Sequence, residues 1–219
     1  MCGRFTLTID SNAVARAFNV AVPKSLQAGP RYNVAPTQDV VAVLNDGEPH
    51  LDLLRWGLIP SWAKDASIGS RMINARAETL AEKPSFKRLL NSRRCLIPAD
   101  GFYEWQKVDG GKVPMYITLK GHEPFAFAGL WDSWKTADGE VLRTCTIITT
   151  HANDLVAPIH ERMPVILPPD AREIWLDPGL HDANILLPLL KPCDPEAMQA
   201  REVSRRVNSP QYDGSDLIA

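Results

Sequence analysis

A chain of 219 residues, 45% of them hydrophobic, is long enough to bury a sizeable core, and we expect one domain over residues 1–219. The formal net charge of −2 excludes a protein that is basic overall, as many nucleic-acid-binding domains are, but it allows a local basic surface. The sequence has neither an apolar run long enough to span a membrane nor a secretory signal, so we expect a cytoplasmic protein without a membrane partner.

In chain order, apolar spacing predicts a short helix over 11–18 and strands over 38–44 and 51–58. A second helix is predicted over 76–90, interrupted by Pro84. Later strands are predicted from runs rich in Ile, Thr, Phe and Tyr, separated by glycine-containing turns at 109–111 and 138–139; they are 94–98, 114–119, 125–130 and 143–149.

The last third of the sequence contains shorter helical patterns. One helical turn is predicted over 153–157, and proline-initiated helices are predicted over 168–175 and 194–201. Strands and helices do not alternate as they do in proteins with a parallel sheet. The pattern therefore predicts a strand-rich α+β fold with a mixed or antiparallel sheet and peripheral helices.

Cysteine stands second in the chain, directly after Met1. If Met1 is removed, Cys2 carries an amine and a thiol on adjacent carbons, and the amine is neutral far more often near pH 7 than a lysine side chain is. Such an aminothiol condenses with an aldehyde to an imine, and the sulfur then closes a thiazolidine ring. An internal cysteine cannot do this because its nitrogen is an amide. The alternative is that the position of Cys2 is accidental.

The other cysteines and the histidines do not form a metal motif. Cys95 and Cys145 lie in apolar runs and are predicted to be core residues, and the cysteine spacing indicates neither disulfides nor a zinc site. The five histidines are scattered, and no glycine-rich phosphate loop is present. We therefore expect neither a metal nor a cofactor.

Three polar segments are candidates for chemistry. Asn74 precedes the second predicted helix and is predicted to cap it. Glu104 lies among aromatic residues on a predicted strand, where desolvation would raise its pKa and suit it to acid–base catalysis; the alternative is a solvent-facing glutamate on an edge strand. His160 and Arg162 lie in a loop between two prolines, which would fix the direction of the imidazole.

Basic residues are unevenly distributed along the chain. Residues 83–94 contain five cations and no acid, and three arginines lie at 201, 205 and 206. They predict either a local basic face that could meet nucleic acid or two solvated surface stretches.

Seven segments carry a resemblance to a known family. They are Met-Cys-Gly-Arg-Phe at 1–5, Arg-Tyr-Asn-Val-Ala-Pro at 31–36, Trp-Gly-Leu-Ile-Pro-Ser-Trp at 56–62, Ile-Asn-Ala-Arg-Ala-Glu-Thr at 73–79, Cys-Leu-Ile-Pro-Ala-Asp-Gly-Phe-Tyr-Glu-Trp at 95–105, His-Glu-Arg-Met-Pro at 160–164 and Val-Ser-Arg-Arg-Val-Asn at 203–208. In this order they closely resemble the SRAP, or SOS response-associated peptidase, family. The resemblance implies that residues 1–219 form a single SRAP domain with a barrel-like β core.

The resemblance also implies a mechanism. The substrate would be an abasic site in single-stranded DNA, whose open sugar is an aldehyde. After Met1 removal, Cys2 would form a thiazolidine DNA–protein cross-link that shields the lesion. Glu104 would help to open the sugar ring and shuttle protons, His160 would assist ring opening, imine chemistry and reversal, and Asn74 would orient the nucleophile and the sugar.

The DNA contacts are implied in the same way. Arg4, Arg76 and Arg162 would hold phosphates, Trp62 or Trp105 would stack on bases, and Thr149 would meet the DNA backbone. Replication-fork junctions are a further expected DNA partner. We expect a monomer that is nucleoid-associated when it binds DNA during the response to DNA damage.

Two other functions stay open at this point. In the first, Cys2 is the nucleophile of a thiol peptidase, with His160 as base and Asn74 as oxyanion donor, which includes self-removal of Met1. In the second, Trp62, Trp105 and the basic runs read a modified DNA base without a covalent bond. The resemblance also leaves lyase-type and other hydrolase activities open.

Overall fold

The computed structural model describes residues 2–219. Within them the strands are β1 (Phe5–Leu7), β2 (Arg31–Val34), β3 (Asp39–Leu44), β4 (His50–Trp56), β5 (Asn74–Arg76), β6 (Arg94–Ala99), β7 (Gly101–Val108), β8 (Gly111–Leu119), β9 (Phe125–Lys135), β10 (Val141–His151), β11 (Arg162–Pro164), β12 (Ile166–Leu167) and β13 (Met198–Glu202). The α-helices are α1 (Ser11–Phe18), α2 (Pro84–Ser92), α3 (Pro169–Leu176) and α4 (Ala183–Leu186).

Short 3-10 helices connect several of these elements; they are Ala66–Arg71, Ala77–Thr79, Leu187–Leu189, Pro195–Ala197, Arg205–Asn208 and Ser215–Leu217. None of the helices within residues 2–219 is both long and apolar enough to span a membrane.

Five strands form a closed, barrel-like sheet. They follow the order β4, β3, β6, β9 and β10, and β10 pairs again with β4. The β4–β10 pair is parallel and the other pairs of this ring are antiparallel. Closure leaves these strands no free edge. The prediction of a strand-rich α+β fold with a barrel-like β core and peripheral helices is therefore confirmed.

A second sheet has the order β13, β8, β7, β1 and β2. Aromatic side chains join it to the barrel. The ring of Phe5 in β1 lies 5.3 Å from that of Trp56 and 5.7 Å from that of Phe127, both in barrel strands. Phe102 in β7 also meets Phe127, at 6.2 Å. These contacts fix β1 and β7 against the barrel.

The predicted helix over 76–90 is wrong in its first half. The segment Ala77–Thr79 is a 3-10 turn, and α2 begins at Pro84 rather than being interrupted by it. Proline is well accommodated at the first helical position because its missing N–H would have no partner there. Asn74 does not cap a helix; it opens strand β5, which pairs in parallel with β10.

The predicted helix over 194–201 is also wrong. Asp194 accepts a hydrogen bond from the N–H of Glu196 at 3.0 Å, and this stabilises only the turn Pro195–Ala197. The chain then enters β13, which pairs with β8 from Met198 to Glu202. A partner strand supplied by the fold outweighs a local helical preference.

The first basic stretch does not form one solvated face. Arg94 is buried, and its guanidinium donates to the carbonyl oxygens of Leu90 and Asn91 at 2.7 and 2.8 Å and also to those of Trp175 and Asp177. It therefore connects α2 to α3 and is not available to a partner. The predicted core positions of Cys95 and Cys145 are confirmed, since both are fully buried.

Candidate active site

The N-terminal segment places Cys2 at the interface between the two sheets. Phe5 lies opposite Phe102 in the β1–β7 pair, and the N–H of Tyr103 donates to the carbonyl oxygen of Arg4 at 3.0 Å. The preceding residues therefore run beside the next part of β7. Cys2 is fully buried there, in the aromatic core between the sheets. Burial raises the pKa of its thiol, and the negative charge of Glu104 raises it further.

Glu104 is an interior residue of the second sheet. Its strand β7 has neighbours on both sides, β8 and β1, and its side chain is only 3% exposed. The alternative of a solvent-facing glutamate on an edge strand is therefore wrong. Burial raises the pKa of Glu104, and the nearby positive charge of His160 acts in the opposite direction. A carboxyl group with a raised pKa keeps its proton to higher pH, which suits it to act as a general acid.

His160 ends the turn that follows β10. Its N–H donates to the carbonyl oxygen of Val156 at 2.9 Å, and its ring Nδ1 accepts a hydrogen bond from the N–H of Arg162 at 3.0 Å. Because Nδ1 is the acceptor, the neutral ring carries its hydrogen on Nε2. The imidazole therefore has a fixed orientation and acts electrostatically on Glu104.

Asn74 enters the site from the barrel. Strand β5 lies beside β10, with Asn74 opposite Ile147, and the preceding Ile73 accepts a hydrogen bond from the indole of Trp56 at 2.9 Å. Trp56 and Ile147 belong to the same buried cluster as Cys2. Within residues 2–219 the buried Oδ1 of Asn74 has no hydrogen-bond partner. It is thus an acceptor without a partner at the border of this cluster.

Arg4 and Trp105 form one wall of the site. Nη1 of Arg4 donates to Oδ1 of Asn33 at 2.7 Å and to the carbonyl oxygen of Val207 at 2.6 Å, and burial lowers the pKa of this arginine. Trp105 lies below the guanidinium at 5.8 Å and donates from its indole to Asn208 at 2.8 Å. Both predicted DNA-binding residues are therefore held by protein groups.

Asn33 and Asn208 were not predicted as individual site residues. The signal was present, because both lie in segments that carry the family resemblance, at 31–36 and 203–208. Only the fold shows that residues from opposite ends of the chain meet at Arg4 and Trp105.

Arg162 makes a two-point contact with Glu78. Its Nη1 and Nη2 lie 2.8 and 2.9 Å from the two carboxylate oxygens, and Nη2 also donates to the carbonyl oxygen of Thr149 at 2.7 Å. These hydrogen bonds hold the pKa of Glu78 below its usual range. Thr149 is fully buried. Contact of Arg162 or Thr149 with DNA stays a prediction.

Trp62 and Arg76 are exposed. Trp62 is 62% exposed, although its loop is fixed on both sides. The N–H of Ser61 donates to buried Asp132 at 2.9 Å, and the indole of Trp134 donates to the carbonyl oxygen of Ala63 at 2.7 Å. Their contact with DNA also stays a prediction, and it requires no rearrangement of buried groups.

The fold brings Cys2, Glu104 and His160 into electrostatic contact, with Asn74 at the border of the same cluster. No group of three or more side chains suited to hold a metal ion occurs in the part of the chain that the structure describes. What the arrangement offers is a thiol with a proton donor and a proton acceptor close to it.

Comparisons with known proteins identify the family of the chain. The family model described as SOS response associated peptidase (SRAP) matches residues 1–210. Abasic site processing protein YoqW of Bacillus subtilis (strain 168) is 51% identical over 222 residues, which cover 100% of this chain and 99% of YoqW. Abasic site processing protein HMCES of Gallus gallus is 32% identical over 261 residues, which cover 100% of this chain and 77% of HMCES.

Solved structures give the same result for the fold. A crystal structure of a protein from Bacteroides thetaiotaomicron matches with a TM-score of 0.90 at 29% identity and covers 99% of this chain and 98% of its own. Another, from Bordetella bronchiseptica, matches with a TM-score of 0.78 at 26% identity and covers 93% of this chain and 100% of its own. The similarity in sequence and in fold extends over almost the whole chain, which belongs to the SRAP family.

Proposed function

We propose that this protein processes abasic sites in DNA by forming a covalent thiazolidine cross-link through Cys2 after removal of Met1. The names of its relatives support the substrate. The observation that carries the chemistry is the burial of Cys2 beside Glu104, with His160 acting on the same carboxyl group. The DNA would be single-stranded, including that at replication-fork junctions, and the protein would be nucleoid-associated while bound.

The sugar ring opens first. In the closed form of an abasic site, the C1′–O4′ bond must break, a proton must reach O4′ and a proton must leave the C1′ hydroxyl. The raised pKa of Glu104 keeps its carboxyl group protonated to higher pH, so Glu104 is the donor to O4′. Once Glu104 has given its proton to O4′ it is a carboxylate, and it takes the proton that leaves the C1′ hydroxyl; the positive charge of His160 stabilises that carboxylate and so assists ring opening.

The α-amine of Cys2 attacks before the sulfur does. Because burial and Glu104 raise the pKa of the thiol, the sulfur is protonated at rest and is a weak nucleophile. The amine adds to the C1′ aldehyde, water leaves, and an imine forms. The S–H group then adds across the C=N bond, with sulfur joining C1′ and the proton ending on nitrogen. One water is released overall.

The other predicted residues bind the DNA strand and orient the abasic sugar. Oδ1 of Asn74, which has no hydrogen-bond partner among the described residues, accepts a hydrogen bond from the Cys2 amine or from a sugar hydroxyl. Arg76 and Trp62 are both exposed; Arg76 holds a phosphate, and Trp62 stacks on a base. Trp105, Arg4, Arg162 and Thr149 shape the wall along which the strand passes, and any contact they make with phosphate is shared with the protein bonds described above.

The test is the intact mass of the protein before and after incubation with an abasic oligonucleotide. The expected product has the mass of both reactants minus one water, and it requires prior loss of Met1. Cys2→Ala, with Met1 also absent, should give no stable adduct. Failure of the wild type to form an adduct after verified Met1 removal would refute the proposal.

Three further assays separate the alternatives. A thiol peptidase would cleave added peptides in a Cys2-dependent way, although the raised thiol pKa disfavours a resting thiolate. If the protein is a non-covalent reader, the Cys2→Ala variant should bind modified DNA as tightly as the wild type does. Strand breakage at the lesion would add a lyase activity.

A further inference from the structure

Glu78 and Arg162 form a charged pair near the site that is joined at two points. Two nearly equal distances, 2.8 and 2.9 Å, join the two guanidinium nitrogens to the two carboxylate oxygens. The carbonyl oxygen of Thr149 takes a further hydrogen bond from the same guanidinium at 2.7 Å. Such a two-point pair fixes the plane of the arginine side chain, and only 12% of that side chain is exposed. Arg162 is therefore held rigidly at the start of β11.

The backbone of Arg162 meets the ring of His160. Nδ1 of His160 lies 3.0 Å from the N–H nitrogen of Arg162 and 3.2 Å from its carbonyl oxygen. The N–H group is a partner for Nδ1 when the ring is neutral. The carbonyl oxygen is a partner for Nδ1–H when the ring is protonated. One residue thus offers His160 a hydrogen-bond partner in either protonation state, without movement of the ring.

We propose that Glu78 is a positioning residue for His160. By clamping the guanidinium of Arg162, it holds both backbone polar atoms of that residue beside Nδ1, so that the imidazole can gain and lose a proton at a fixed orientation. The inference rests on the proposed function for its effect on cross-linking, but the effect on the histidine ring itself does not depend on that function.

A different role for Glu78 gives the opposite result. If its carboxylate instead shields Arg162 from DNA phosphate, its removal would free a cation for the backbone. Affinity for DNA would then rise, and it would fall more steeply with salt.

The variants are Glu78→Ala and Glu78→Gln, with Glu161→Gln as control. The glutamine can still accept a hydrogen bond from Arg162 through Oε1, so it tests the proposal even if the alanine variant fails to fold. Glu161 is exposed, lies between His160 and Arg162 in the chain, and has the same charge as Glu78. Glu161→Gln therefore measures the effect of losing one negative charge near His160.

Two measurements decide the proposal. The first is the ¹⁵N NMR shift pattern of the His160 ring nitrogens. In wild type and Glu161→Gln it should report hydrogen on Nε2 in the neutral ring, and in Glu78→Ala it should report a mixture of tautomers. The second is the single-turnover rate of cross-linking, which should fall about tenfold in Glu78→Ala and less in Glu78→Gln, because misplacing His160 removes only part of the roughly 10²–10⁴-fold that general acid–base catalysis contributes. Affinity for a non-reacting abasic analogue should stay unchanged.

An unchanged ring tautomer in Glu78→Ala would overturn the proposal, as would tighter and more salt-sensitive binding of the analogue. If the wild type forms no cross-link at all, the proposed function fails, while the NMR measurement still decides whether Glu78 positions His160.

Discussion

Oδ1 of Asn33 lies 2.7 Å from Nη1 of Arg4, and the two residues are 29 positions apart. The amide nitrogen of the same asparagine donates to the carbonyl oxygens of Ser209 and Tyr212 at 3.0 and 2.6 Å, and it is 3.3 Å from that of Val207. One buried amide thus joins the N-terminal segment, β2 and the C-terminal segment. The wall of the site depends on this junction.

Asn33→Ala should therefore loosen the C-terminal segment as well as destabilise the fold. It leaves Arg4 and several carbonyl groups with fewer partners, and we expect the free energy of unfolding to fall by about 3 kcal/mol. Urea denaturation measures this loss, and hydrogen exchange should show faster exchange around residues 207–212. The control is Asn12→Ala on the exposed side of α1, which should change neither measurement. Equal stability of the two variants would contradict the prediction.

How much of the fold the sequence predicts depends on how local its causes are. The helix over 11–18 is confirmed because its start and end are encoded nearby: Asp10 accepts from the N–H of Ala13 at 2.8 Å, and Asn19 adopts the left-handed conformation that ends it. Strand β13 could not be predicted because its partner β8 lies about 80 positions earlier in the chain.

In the candidate site, too, only features with a local cause in the sequence could be predicted. Cys2, Asn74, Glu104 and His160 could be named because chemistry and motif resemblance point to residue types. The burial of Glu104 was open, since whether β7 is an interior or an edge strand depends on β1 and β8 together. The pair between Glu78 and Arg162, 84 positions apart, is a property of the fold and has no local signal.

Glu104→Gln should change the pH dependence of stability. Because burial raises the pKa of Glu104 in the folded state, the folded protein binds more protons than the unfolded chain between the ordinary carboxyl pKa and the raised one. Its contribution to stability is therefore fully present below the unfolded pKa and is lost as pH rises through the folded pKa. Glutamine has no such proton. The unfolding free energy of Glu104→Gln minus that of the wild type should therefore increase with pH across this window, because only the wild type loses this stability.

Urea denaturation at a series of pH values measures this difference. Glu161→Gln, an exposed glutamate, serves as the control and should keep a constant difference from wild type. A difference for Glu104→Gln that does not vary with pH would show that the Glu104 pKa is not raised.

The order of covalent steps predicts a specific behaviour of Cys2→Ala. This variant, once Met1 is removed, keeps the amine and loses the sulfur, so its reaction should stop at the imine. Borohydride should then trap an adduct in Cys2→Ala that is absent without reduction. The wild-type adduct should form without borohydride and should resist reduction, because a thiazolidine has no C=N bond. Denaturing gels and intact mass separate these cases, and an adduct of Cys2→Ala that survives without reduction would contradict the assigned order.

Trp62 provides the sharpest test of how DNA is held. Its indole is 62% exposed on a loop that Asp132 and Trp134 fix to β9, so a base can stack on it without any reordering of the protein. Trp62→Ala should weaken binding of a non-reacting abasic oligonucleotide by about 1–3 kcal/mol, the usual range for one base stacked on an aromatic side chain. The matched control is Val141→Ala, which truncates another apolar side chain, 65% exposed, on the barrel.

Fluorescence anisotropy measures the affinity of both variants, and thermal unfolding measures their stability. Because the Trp62 ring packs little against the protein, its loss should lower affinity while leaving stability close to that of wild type. A loss of stability as large as the loss of affinity would place Trp62 among the structural residues. Equal affinity in Trp62→Ala and Val141→Ala would remove Trp62 from the DNA path, and the exposed cation Arg76 would then be the next residue to test for DNA contact.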